Sequence, residues 1–186
     1  VDNRHKALIR GLYGAGLFQL GTFTHDGGKH VQLRLEMLPS YPVLLGEIAN
    51  LIQEQFITGI NRIVCTAEAV ALGTAISLAS GIPLIWHTGM TGAPSRNFVG
   101  AYDIHHPAVL VMLNSGRYST DTLTNIYREA DSVGLQITQM IGLIDDVPNS
   151  VQQNSIGLVR LADAVRVLIE DGSIPSALGQ KALEDL

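Results

Sequence analysis

The run Ala108-Val109-Leu110-Val111-Met112-Leu113 leads directly into Asn114, Ser115, Gly116, Arg117, Tyr118, Ser119 and Thr120, followed by Asp121 and Thr122. An apolar strand entering a polar loop that opens a helix is an arrangement able to hold an anion. Backbone N–H groups converge at the helix start, Ser119 and Thr120 add hydroxyls, and Arg117 adds a charge-assisted contact. The same residues also suit a capped helix with no ligand, with Asp121 or Thr120 as the cap. Asp121 weighs against an anion, because a carboxylate at a helix N-terminus repels phosphate and satisfies the same donors.

Other reactive types are scattered. Asp103, His105 and His106 are close in sequence, but adjacent imidazoles fit one small ion poorly, so a solvated loop is the simpler reading and no metal site is expected. His87 ends an apolar run and reads as a hydrogen-bonded structural group ahead of a base. Cys65, the only cysteine, lies in Arg62-Ile63-Val64-Cys65 and suits an inert buried thiol. Glu68 stands before a small-residue helix as a cap or first-turn residue, placed to line the same crevice as Asn114 to Thr120.

These residues need elements to position them. Lys6 to Leu17 reads as a helix ended by Gly14-Ala15-Gly16. Val31, Leu33, Leu35 and Met37 alternate with polar residues and predict a half-exposed strand. Pro42 suits a first helical position, and Leu45, Ile48, Ile52 and Phe56 continue that helix. Then short apolar strands alternate with helices. Strands are expected at Arg62 to Thr66, Leu84 to His87, Ala108 to Leu113 and Gln136 to Ile144. Helices are expected at Glu68 to Ala79, closed by Gly81, and at Asp121 to Val133, closed by Gly134. This is the grammar of an α/β domain with a mostly parallel sheet buried on both faces. A short strand is expected in Phe98 to Tyr102, a weak edge strand at Ile156 to Leu161, and closing helices at Ala162 to Glu170 and Ala177 to Leu186. The twenty residues from Thr88 to Pro107 form a long loop of the sort that is usually functional or disordered.

Composition agrees with a buried core. The 186 residues are 46% hydrophobic and 16% charged, with 19 glycines and a formal charge of −5. At about 150 residues per domain this predicts one domain, or one with a small appendage. Residues 1 to 106 hold seven basic and seven acidic groups, and residues 107 to 186 five and ten, so neither half offers the basic stripe nucleic acid requires. The uncharged run Ala69 to Trp86 is interrupted by Gly73, Ser80, Gly81 and Pro83, which argues for a helix and a strand rather than a membrane span. Val1 to Lys6 carries charges without the apolar run of a signal peptide. A single cysteine fits a reducing compartment, and the expected location is cytoplasmic.

The order of these segments resembles the type I phosphoribosyltransferases, most closely those acting on orotate. Leu17-Phe18-Gln19-Leu20-Gly21-Thr22-Phe23-Thr24-His25-Asp26-Gly27-Gly28-Lys29-His30-Val31 is similar to the family's hood, with Gly27 where Ser is usual. The helix from Pro42, the strand to Thr66, Gly81-Ile82-Pro83 and Leu143-Ile144-Asp145-Asp146 follow in family order. The resemblance implies a phosphoribosyltransferase-like parallel-sheet core over residues 42–186, an N-terminal hood over residues 1–41, and a mobile loop from Thr88 to Pro107. It further implies a homodimer, and an active member would be a magnesium-dependent glycosyltransferase of pyrimidine biosynthesis making orotidine monophosphate from orotate and phosphoribosyl pyrophosphate.

The chain departs from that pattern at the chemistry. Family members carry two adjacent acids, two further residues, then Thr-Thr-Gly; here Leu113 and Asn114 stand for the acids and Arg117-Tyr118-Ser119 for the phosphate cradle. Beyond Pro83 the family uses Arg and Lys for pyrophosphate, whereas Leu84 to Asn97 holds Arg96 alone. In the hood Asp26 takes the place of a Lys, leaving Lys29 as the nearest cation. The expectation is therefore a pseudoenzyme that has lost efficient transfer and binds a phosphorylated or nucleotide-like small molecule through Asn114, Ser115, Gly116, Arg117, Tyr118, Ser119, Thr120 and Lys29. Two alternatives stand beside it: a working orotate enzyme with an altered loop, and a structural homodimer that binds no small molecule.

Overall fold

A computed structural model describes residues 2–23, 29–89, 97–145 and 155–186. Helix α1 (Asn3–Gly14) starts earlier than the apolar spacing suggests, because Asp2 caps it by accepting the N–H of His5 at 2.8 Å. It also stops earlier: Leu17 is fully buried outside the helix, and Phe18 opens a strand. Strands β1 (Phe18–Phe23) and β2 (Lys29–Leu33) pair antiparallel in a sheet of their own.

The alternation expected to run on to Met37 breaks after Leu33. Leu35–Ser40 is a 3-10 helix instead, with Leu35 and Leu38 buried. Three-residue spacing puts both leucines on one side of a 3-10 turn, and burying that pair wins over the extended alternative. Helix α2 (Pro42–Phe56) follows with Pro42 in its first turn, as its sequence requires.

The main sheet comprises β3 (Arg62–Thr66), β4 (Leu84–His87), β5 (Phe98–Val99), β6 (Pro107–Asn114), β7 (Gln136–Ile144) and β8 (Ser155–Val159), in the order β5-β4-β3-β6-β7-β8. All pairings are parallel except β4 with β5. The central strand β6 explains the lack of alternation in its sequence. Val109, Val111 and Leu113 enter one core while Ala108, Leu110 and Met112 enter the other. Both faces are apolar because both are covered.

Helices α1, α2, α3 (Val70–Ser80), α5 (Leu161–Glu170) and α6 (Ser176–Glu184) contribute to the first core, and α4 (Thr120–Ser132) to the second. A 3-10 turn at Ala67–Ala69 precedes α3, and Gly81 ends α3 at φ +72°. A Cβ on Gly73 would lie 3.0 Å from Cys65 Sγ and 2.9 Å from Leu84 Cδ1. The small-residue character of α3 is thus what lets it lie directly on β3 and β4. The uncharged run Ala69 to Trp86 divides into this helix and β4, and no described helix is long and apolar enough to cross a membrane.

Candidate functional site

Strands β3 and β6 are neighbours, with Cys65 beside Val111, so the loops that follow them leave the same end of the sheet side by side. Ligands of open parallel sheets gather at this end. A cleft of about 550 Å³ lies there, lined by Glu68 from the β3 loop and by Leu113, Asn114, Gly116 and Arg117 from the β6 loop. Leu33, Leu35 and Glu36, from the end of β2 and the 3-10 helix after it, also line it.

The loop after β6 divides its residues between two tasks. Ser115 is fully buried, and its hydroxyl donates to Ile144 O at 3.2 Å and Asp145 Oδ1 at 2.9 Å, which pins the loop to β7. Asn114 is half-buried and accepts the Gly116 N–H at 3.0 Å, which shapes the turn and uses one lone pair of its amide oxygen. Arg117 is exposed and has no ion-pair partner among the described residues.

Ser119, not Asp121 or Thr120, is the cap of α4. Its Oγ accepts the Thr122 N–H at 3.2 Å and lies 2.9 Å from the Thr122 hydroxyl. Serine holds the extended conformation required before the first turn, with φ −65° and ψ 155°, while Thr120 and Asp121 are already helical. Ser119, Thr120, Ser115 and Tyr118 are not among the residues lining the cleft, whereas Asn114, Gly116 and Arg117 are. Lys29 opens β2; its side chain lies outside the described residues, as do Asp26, Gly27, Arg96 and Asp146.

Tyr118 turns inward to the β3 loop. It is half-buried, and burial, followed by a hydrogen bond to Glu68, pushes its phenol well above the ordinary tyrosine range. Thr66 donates to the same carboxylate at 2.6 Å. Glu68, Thr66 and Tyr118 therefore bring the loops after β3 and β6 together beside the cleft. Beneath them Cys65 is fully buried, and burial together with the Glu68 charge pushes its thiol up to about 12, leaving it a packed and unreactive group.

His87 and its surroundings lie at the end of β4, outside the cleft lining. Nε2 of His87 lies 3.0 Å from Glu129 Oε2, Nδ1 accepts the Gly89 N–H at 3.3 Å, and Asn97 Nδ2 donates to Glu129 Oε2 at 2.9 Å. Burial would raise the Glu129 carboxyl, but the bonds from His87 and Asn97 outweigh it and leave the group below the usual range. Asp103 is tied to Arg62 at 3.3 Å, and among the described residues no group of three or more His, Cys, Asp or Glu could hold a metal ion. At the end of β6, Leu113 and Asn114 offer an apolar side chain and an amide, and the carboxylates of the cleft wall come from Glu36 and Glu68.

Sequence reasoning placed Glu68, Asn114, Gly116 and Arg117 near one another. It missed Leu33, Leu35 and Glu36, because the alternating pattern hid the 3-10 turn that carries the last two. The Tyr118 contact with Glu68 joins residues fifty positions apart, and nothing local signals it.

No family model and no curated relative matches the sequence. Solved structures do match in fold. The chain is similar to the UMP synthase of Leishmania donovani, with a TM-score of 0.77 and 19% identity over 95% of this chain and 40% of that one. The chain thus spans well under half the length of that protein. Its similarity to orotate phosphoribosyltransferase of Francisella tularensis has a TM-score of 0.69 at 14% identity, covering 96% of each chain. The Mycobacterium tuberculosis H37Rv orotate phosphoribosyltransferase, solved in complex with 5-phospho-alpha-D-ribosyl 1-diphosphate, gives a TM-score of 0.67 at 12% identity, covering 87% of this chain and 98% of that one. At such identities the likeness shows the fold: an α/β core of the phosphoribosyltransferase type, a mixed and mainly parallel sheet flanked by helices.

Proposed function

We propose that this chain is a phosphoribosyltransferase-like protein that has lost efficient phosphoribosyl transfer and binds a phosphorylated or nucleotide-like small molecule in the cleft beside β3 and β6. Residues 1–41 act as its hood and residues 42–186 as its core. The observation that carries the reading is the end of β6, where Leu113 and Asn114 line the cleft. Transfer of a ribosyl group develops positive charge at the anomeric carbon, and a preorganised pair of carboxylates is the usual way to stabilise it. Leu113 has no polar atom, and Asn114 carries no charge and spends an acceptor site on Gly116.

Binding is supported by what remains. The cleft has the size of a small-molecule site, and Arg117 stands at its wall without an ion-pair partner among the described residues. The solved phosphoribosyltransferases of M. tuberculosis include complexes with inorganic phosphate and with 5-phospho-alpha-D-ribosyl 1-diphosphate, which makes phosphorylated compounds the first class to try.

A thermal-shift panel of phosphate, ribose 5-phosphate, nucleoside monophosphates and phosphoribosyl pyrophosphate tests binding directly, since any ligand preferring the native state raises its apparent stability. At 100 times its dissociation constant a ligand adds about 2.7 kcal/mol, a readily measured shift. The reading expects at least one member to raise the midpoint. Silence from all of them at millimolar concentration would favour a structural homodimer that binds no small molecule.

A further inference from the structure

Among the described residues that line it, the cleft presents more negative than positive side-chain groups. Glu36 and Glu68 bring carboxylates to its wall, and Arg117 a guanidinium. One guanidinium matches one anionic group bidentately. A second phosphate close to the first would meet a carboxylate in place of a counter-charge, and like-charge juxtaposition of this kind opposes binding.

Glu68 has neighbours at the end of β3 and in the loop after β6. Thr66, itself buried, donates to Oε1 at 2.6 Å, and the Tyr118 phenol interacts electrostatically with the same carboxylate. An ionised carboxylate has about four acceptor positions, so the Thr66 donor leaves others for the cleft that Glu68 lines. Those positions suit neutral donors, such as the paired hydroxyls of a sugar. Glu68 thus combines fixed geometry, an acceptor surface and a charge that opposes extra anions. The bond that fixes it comes from Thr66, the last residue of β3.

We infer that Glu68 makes this cleft selective for a sugar monophosphate, with hydroxyls on Glu68 and a single phosphate on Arg117, over pyrophosphate and ligands carrying a diphosphate. The inference rests on the binding function proposed above and specifies its ligand class.

Titration calorimetry on the full chain, using ribose 5-phosphate and inorganic pyrophosphate in the same buffer, tests it. The wild type should bind ribose 5-phosphate at least about tenfold more tightly than pyrophosphate, the size expected when one partly desolvated like charge faces the second phosphate. Glu68→Gln removes the charge and weakens the acceptor for the sugar hydroxyls, so it should tighten pyrophosphate by about tenfold and weaken ribose 5-phosphate by about tenfold, abolishing the preference. Wild-type protein that binds pyrophosphate as tightly as ribose 5-phosphate would overturn the selectivity and leave the binding function standing. Wild-type protein that binds no member of the phosphate panel would overturn both. An unchanged ratio in a folded Glu68→Gln protein would remove Glu68 as its cause. Should that variant fail to fold, the wild-type ratio still decides whether the selectivity exists, and Glu36→Gln, at an exposed position, asks whether the second carboxylate produces it.

Discussion

The carboxyl ends of β6 and β4 lie at the same end of one mainly parallel sheet, and both lead into polar residues of types suited to chemistry. They are built in opposite ways. At the end of β4, both His87 nitrogens are engaged, and Glu129 receives Asn97 as well as facing His87. His87 and Asn97 are buried, and the cluster fixes where Thr88 leaves and Asn97 returns, an arrangement closed by the Thr88 N–H donating to Asn97 O at 2.8 Å. At the end of β6, Arg117 and Glu36 are exposed and Asn114 half-buried around a cleft of about 550 Å³. A polar residue whose bonds are completed within the fold holds structure. One that keeps bonding capacity beside a cavity is available to a ligand.

Glu129 holds the closed cluster at the end of β4 together. Glu129→Leu would leave His87 and Asn97 buried without their shared partner, and unsatisfied buried groups cost about 1 to 3 kcal/mol each. A loss of about 3 kcal/mol in urea unfolding is expected, and a loss below about 0.5 kcal/mol would show that the cluster is not structural. The same cluster sets a pH dependence. Because the folded Glu129 carboxyl is held below its ordinary value, its contribution is fully present above that value and is lost as pH falls through the lower folded one. Wild type should therefore lose more stability than Glu129→Leu on acidification below about pH 4.3.

Arg117 and Ser115 sharpen the contrast within a single loop. Arg117→Ala should weaken a phosphorylated ligand by roughly 1.5 to 3 kcal/mol, the worth of a charge-assisted hydrogen bond, while changing stability by less than about 0.5 kcal/mol. Ser115→Ala should do the reverse, costing about 1 to 2 kcal/mol of stability through the lost tie to Ile144 and Asp145, with affinity little changed. Calorimetry and urea unfolding on the two variants separate these outcomes. Equal effects on both quantities would mean that the loop does not divide its tasks in this way.

Sequence alone carried most of the sheet. The segments Arg62–Thr66, Leu84–His87 and Gln136–Ile144 are strands at the expected residues, because apolar runs flanked by polar or turn residues leave few other ways to bury both faces. It failed at Leu35 to Met37, where alternation and three-residue spacing coexist and only packing against the core chooses between them. The cleft lining was legible where it follows strands, at Glu68, Asn114, Gly116 and Arg117, whereas Ser115, Tyr118, Ser119 and Thr120 are not among its lining residues. The wall from Leu33, Leu35 and Glu36 was not, since a distant segment supplies it. His87 read correctly as a hydrogen-bonded group, but its partner Glu129 lies 42 residues away and is brought there by α4.

The proposed loss of phosphoribosyl transfer rests on Leu113 and Asn114 at the end of β6. Pyrophosphate release from phosphoribosyl pyrophosphate, measured with orotate and magnesium on the wild-type chain, addresses it most directly. No release above the protein-free control is predicted, because neither Leu113 nor Asn114 can supply the missing charge. Turnover in the ordinary enzyme range of about 1 to 1,000 per second would contradict the account and make this chain a working phosphoribosyltransferase with a different set of catalytic groups.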